Sequence, residues 1–116
     1  MNELPQINAG SLAEKLRNPE GLIILDVREA WELDLARIND QRVINLPLSL
    51  LNARLLDAFP PELRDEQAQI IVMCHHGVRS SSVVNWMLGN GWKNVFNLTG
   101  GIAAYAAEAD STVGFY

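Results

Sequence analysis

The chain has a single cysteine, Cys74, among its 116 residues, so it cannot form an internal disulfide, which agrees with a reducing compartment. Long apolar runs are missing as well. No stretch nears the roughly 20 apolar residues that a membrane-spanning helix needs. The opening Met1-Asn2-Glu3-Leu4-Pro5 has no basic patch leading into an apolar run, so no secretory leader is read there. A cytoplasmic protein without membrane contact is the expectation. There is no basic stripe or arm, and the net charge is −5. Nucleic acid is therefore not an expected partner, because nothing is placed to displace its counterions. Repeats, low-complexity tracts and linkers are also absent, which makes one domain over residues 1–116 the expected organisation. A hydrophobic fraction of 48% is enough to fill one core.

What is present alternates between strand and helix patterns. Leu22-Ile23-Ile24-Leu25, Val43-Ile44-Asn45-Leu46, Ile70-Ile71-Val72-Met73 and Val95-Phe96-Asn97-Leu98 read as strands. The best of them are apolar throughout, as strands covered on both faces are. Ser11-Leu12-Ala13-Glu14 matches a capping box and is expected to open a helix that Asn18-Pro19 ends. Further helices are expected over 29–35, 50–58, 80–90 and 101–109. Val84, Met87 and Leu88 share a face of the third of these, and Gly91 suits its left-handed end. The expected fold is α/β: a mostly parallel sheet of about five strands with helices on both faces. Ligands of such sheets bind beyond the carboxyl ends of the strands.

Cys74 lies at one of those ends and opens Cys74-His75-His76-Gly77-Val78-Arg79-Ser80. A cysteine at a strand end is usually inert filling. The residues after it argue otherwise. Gly77 permits a backbone turn that lets N–H groups converge, and Arg79 brings a forked, permanent charge suited to an oxyanion. Ser80 is expected to cap the next helix and to add a hydroxyl donor. A helix N-terminus and a nearby cation favour the thiolate form of a cysteine, so Cys74 is the candidate nucleophile. His75, His76, Gly77, Val78, Arg79 and Ser80 are the candidate substrate-binding groups. Three adjacent Cys and His side chains diverge, and no second cluster completes a tetrahedral set, so no metal site is read. The two imidazoles are expected at the rim, mostly neutral. Asp26, Arg28 and Arg37 are candidate orienting or rim groups, with Asp26 read first as an ion-pair partner of Arg28 or a helix cap. Trp31, Trp86 and Trp92 are expected in core and edge packing, and 57–66 as a solvated connection.

The loop resembles that of the rhodanese sulfurtransferases, Cys-x-x-Gly-x-Arg-Ser, in every fixed place. Leu25-Asp26-Val27-Arg28-Glu29, Ile44-Asn45-Leu46-Pro47-Leu48 and Asn97-Leu98-Thr99-Gly100-Gly101-Ile102 are similar to further segments of that family. The chain departs from the family at Ala36-Arg37-Ile38-Asn39-Asp40-Gln41-Arg42-Val43, which is about two residues longer, with Arg37 in place of a histidine. Tyr105 stands where a tryptophan is usual. The resemblance implies double displacement through a Cys74 persulfide, with a small sulfur-containing anion such as thiosulfate as donor and no cofactor. A thiol or a sulfur-accepting or sulfur-donating protein is the implied partner. Three readings stay beside it. One is a sulfur carrier module with poor thiosulfate turnover. Another is a cysteine-dependent phosphatase or arsenate reductase, whose Cys-x5-Arg loop is one residue longer. The third is a non-catalytic interaction domain, which would typically lack the cysteine.

Overall fold

The computed structural model describes residues 4–18 and 21–116. Five strands, β1 Gln6–Ile7, β2 Leu22–Asp26, β3 Val43–Asn45, β4 Gln69–Met73 and β5 Val95–Leu98, form one sheet in the order β1-β5-β4-β2-β3. Every pairing is parallel, with Asp26 opposite Met73 and Val72 opposite Asn97. Along β4 the side chains alternate between two cores. Ile70 and Val72 pack with helices α2 (Leu48–Arg54) and α3 (Val78–Gly89). Ile71 and Met73 pack on the other face with α1 (Ala9–Leu16) and α4 (Gly101–Glu108). Apolarity on both sides of a strand thus has its cause in helices on both faces. Among the described residues, no helix is long and apolar enough to cross a membrane.

Several boundaries differ from expectation. α1 starts at Ala9 because Asn8, as good a cap as serine, accepts the Ser11 N–H at 2.8 Å. Its C-cap is Arg17, and the expected stop at Pro19 lies outside the described residues. The helix expected over 29–35 is a 3-10 turn, Ala30–Asp34, closed by a Glu29–Glu32 capping box. α2 ends at Arg54, where Leu55 takes a positive φ of 52°, and a 3-10 turn, Leu55–Ala58, follows. α3 begins two residues before Ser80, on Gly77. Two-residue β1 is too short to show a pattern in sequence. The 57–66 connection buries Phe59 and Leu63, and Phe59 packs edge-on against Trp86 and Trp92. Trp31 is 63% exposed rather than packed.

Leaving β2, the chain turns outward to β3; leaving β4, it turns the opposite way to β5. The loops after β2 and β4 therefore flank the point where strand order reverses, the usual ligand crevice of such sheets.

Candidate active site

Cys74 follows the last residue of β4 and is 1% exposed. Its Sγ accepts the Gly77 N–H at 3.1 Å and the Ser80 N–H at 3.4 Å. The Ser80 Oγ lies 3.2 Å away. Gly77 makes this turn possible: its φ of 98° is left-handed, and it is the N-cap of α3. Ser80 is therefore not the cap expected of it. It sits in the first helical turn, fully buried, with its hydroxyl donating to Asn97 Oδ1 on β5. The Asn97 amide in turn donates to the Ser81 Oγ at 3.0 Å and to the Gly77 carbonyl at 3.3 Å. With its proton on Asn97, the Ser80 hydroxyl can accept from a Cys74 thiol; rotated, it can donate to a thiolate.

The loop is held from behind by α4. The Cys74 carbonyl accepts the Ile102 N–H at 2.9 Å, and the His75 carbonyl accepts the Ala103 N–H at 3.0 Å. Only a glycine fits at 101. Its φ is 63°, and a Cβ there would lie 2.4 Å from the His75 carbonyl oxygen and 2.5 Å from that of Cys74. A trans peptide points its C=O and N–H in opposite directions. Anchoring both carbonyls on α4 therefore turns the N–H groups of His75 and His76 away from that helix. Among the described residues these two, with the N–H groups of Val78 and Arg79, have no hydrogen-bond acceptor. They are free to bind an anionic ligand.

Arg79 does not point free. Its Nη1 and Nη2 donate to Glu32 Oε2 and Oε1 at 2.7 and 2.8 Å. Glu32 also accepts the Glu29 N–H and the Tyr116 hydroxyl, each at 2.9 Å. The Arg79 fork, ahead of the other donors, lowers the Glu32 carboxyl pKa to about 2, and the Glu32 carboxylate in turn raises that of the Arg79 guanidinium. Glu32 is a site residue that sequence reasoning misses; a capping-box glutamate inside a helical turn gives no sign that its carboxylate faces another loop.

Asp26 and Arg28 stand behind this pair. Both are buried, at 1% and 0% exposure, so neither forms a rim. Arg28 grips Asp26 through Nε and Nη2, at 2.9 and 2.7 Å, and donates to the Ala36 carbonyl and the Tyr116 hydroxyl. An unbroken polar chain runs from Asp26 through Arg28, Tyr116 and Glu32 to Arg79. Arg37 is exposed and lines a polar pocket with Asp26, Asn39, Asp40 and Asn45, apart from the cysteine loop. The longer 36–43 segment is tied down by Arg42, which binds Asp40 and the Leu16 and Asn18 carbonyls.

The imidazoles stack at the surface. His75 lies 3.7 Å from the Tyr116 ring and 3.8 Å from that of His76. His75 Nε2 sits 2.7 Å from the main-chain oxygen of Tyr116. That oxygen only accepts, so this nitrogen carries the proton. Desolvation lowers the His75 pKa, which keeps the ring neutral. Val78 projects outward at 76% exposure. Among the described residues, no group of three His, Cys, Asp or Glu side chains is placed to hold a metal.

Several known proteins are similar to this chain. A sulfurtransferase of Allochromatium vinosum is 30% identical over 101 residues, covering 87% of each chain. A putative sulfur carrier protein, YrkF of Bacillus subtilis, is 28% identical, over 94% of this chain and 55% of its own. The Rhodanese-like/PpiC domain-containing protein 12 of Arabidopsis thaliana is 29% identical over 95% of this chain, which spans only 36% of that protein. Among solved structures, a rhodanese-related protein of Thermoplasma volcanium superposes with a TM-score of 0.72 at 30% identity, over 90% of this chain and 93% of its own. Residues 8–108 match the family model described as a rhodanese-like domain, and the chain belongs to that family.

Proposed function

We propose that the chain transfers a sulfane sulfur through a persulfide on Cys74, with thiosulfate as the simplest donor to test. One observation carries this reading. A buried sulfur already accepts two loop N–H groups, and four neighbouring N–H groups have no acceptor among the described residues. Such a cradle suits a sulfur that grows by one atom and keeps a negative charge. Family membership, and relatives named as a sulfurtransferase and a putative sulfur carrier, support the same chemistry.

In the first half-reaction the Cys74 thiolate attacks the outer sulfur of thiosulfate. The S–S bond of the donor breaks, its electron pair leaves on sulfite, and Cys74 keeps the outer sulfur as Cys74–S–S⁻. In the second, a thiophilic acceptor attacks that sulfur and the Cys74 thiolate returns; cyanide gives thiocyanate, and a thiol or protein cysteine gives a persulfide. The atoms and electrons balance without a cofactor, and one difficult transfer becomes two easier ones. The N–H groups of the 75–80 loop hold the persulfide charge, and the Ser80 hydroxyl rotates toward it.

The test is steady-state transfer of sulfur from thiosulfate to cyanide by the wild type and by Cys74→Ser. Loss of thiocyanate formation in a folded Cys74→Ser variant is expected. Wild-type turnover in that variant would overturn the reading.

A further inference from the structure

An arginine in an anion site normally offers its fork to the ligand; here the fork is already taken. The Glu32 side chain is 5% exposed and that of Arg79 33%. Four donors fill the four lone-pair positions of the Glu32 carboxylate: Arg79 twice, the Glu29 N–H and the Tyr116 hydroxyl. A second anion seeking Arg79 must displace this buried carboxylate or lie beside it, and like charges so placed are disfavoured. Among the described residues, neither Arg28, Arg37 nor His75 compensates. Arg28 is buried and matched by Asp26, Arg37 lines a different pocket, and desolvation disfavours the charged form of His75. The loop thus supplies N–H dipoles for a negative sulfur, while the charge of its arginine is already matched by Glu32.

The surroundings point the same way. Glu32, Arg79 and Tyr116 are bonded together, and each is flanked in sequence by an exposed apolar residue. These are Trp31, Val78 and Phe115, exposed by 63%, 76% and 63%. Carbon rather than oxyanion is what such neighbours accommodate.

We propose that Glu32, acting through Arg79, is a specificity-determining residue that turns the site away from doubly anionic donors such as thiosulfate and toward persulfides carried on a thiol. This rests on the sulfur-transfer reading of Cys74. With a hydropersulfide R–S–SH, the Cys74 thiolate attacks the outer sulfur and the S–S bond breaks. R–S⁻ leaves with the electron pair and takes the donor's proton, and Cys74–S–S⁻ remains.

The experiment measures kcat/KM with thiosulfate and with the hydropersulfide of 2-mercaptoethanol, using the full chain. A persulfidated cysteine peptide forms a third arm that separates a protein source from a small-thiol source. Glu32→Gln is expected to shift the thiosulfate-to-persulfide ratio toward thiosulfate by about tenfold or more, through a lower thiosulfate KM. Tyr116→Phe removes one donor from Glu32 and is expected to move the ratio the same way by less. A partly unfolded fraction lowers all donors together and leaves the ratio unchanged. An unchanged ratio in both variants would overturn the proposal while leaving persulfide chemistry standing. Failure of every donor to load Cys74 would overturn sulfur transfer and the proposal with it.

Discussion

Replacing Arg79 with alanine should destabilise the fold by stranding Glu32. In the native state the Arg79 fork, joined by the Glu29 N–H and the Tyr116 hydroxyl, holds the Glu32 carboxyl at about 2, down from 4.5, and each unit of such a shift is about 1.4 kcal/mol. The difference corresponds to about 3 kcal/mol. The Glu29 and Tyr116 donors keep part of the shift, Arg79 is a third exposed, and solvent screening trims the figure further, so a loss of about 2 kcal/mol at pH 7 is expected. At about 4 °C or more per kcal/mol for a domain of this size, the midpoint falls by about 8 °C or more. The pH dependence has a definite sign. A depressed carboxyl contributes its full stability above 4.5, and that contribution fades as the pH falls toward 2. The gap between wild type and Arg79→Ala should therefore narrow across that window. Adding Glu32→Gln to Arg79→Ala removes the stranded charge and should recover part of the loss. Urea unfolding at pH 7 and pH 3 measures all of this. Equal stability of wild type and Arg79→Ala at pH 7, or a gap that stays constant with pH, would refute the reasoning.

Gly101→Ala should drive a methyl group into the Cys74 and His75 carbonyls, lowering stability by about 2 kcal/mol or more and slowing sulfur loading measured by stopped-flow. Asn97→Ala removes the acceptor of the buried Ser80 hydroxyl; a loss of about 1–3 kcal/mol in chemical denaturation is expected, together with slower turnover. A glycine inserted after Gly77 should widen the ring of N–H groups and reduce sulfur transfer by about tenfold, or 1.4 kcal/mol of transition-state stabilisation. Undiminished transfer in the folded insertion variant would show that loop length does not select sulfur.

The sheet and the cysteine loop were legible because their signals are local. Fully apolar strands such as Ile70-Ile71-Val72-Met73 announce burial on both faces, and the spacing from Cys74 to Ser80 lies within one loop. What escaped the sequence depends on contacts between distant segments. Glu32 meets Arg79 across 47 positions, Asn97 meets Ser80 across 17 and Tyr116 meets Arg28 across 88. Arg79 accordingly read as a free anion-binding fork, and Ser80 as a cap. The helix starts went astray for a simpler reason: Asn8 and Gly77 are both good boundary residues, and each lies just upstream of a serine that looked like the cap.

The central claim, a persulfide on Cys74, is tested most directly by intact-protein mass measurement after incubation with a sulfane donor and removal of the excess. Wild-type protein is expected to gain the mass of one sulfur atom, localised to the Cys74 peptide and released by cyanide. Cys74→Ser should gain nothing. Added sulfur in the Cys74→Ser variant, or none in the wild type with any donor, would contradict the account.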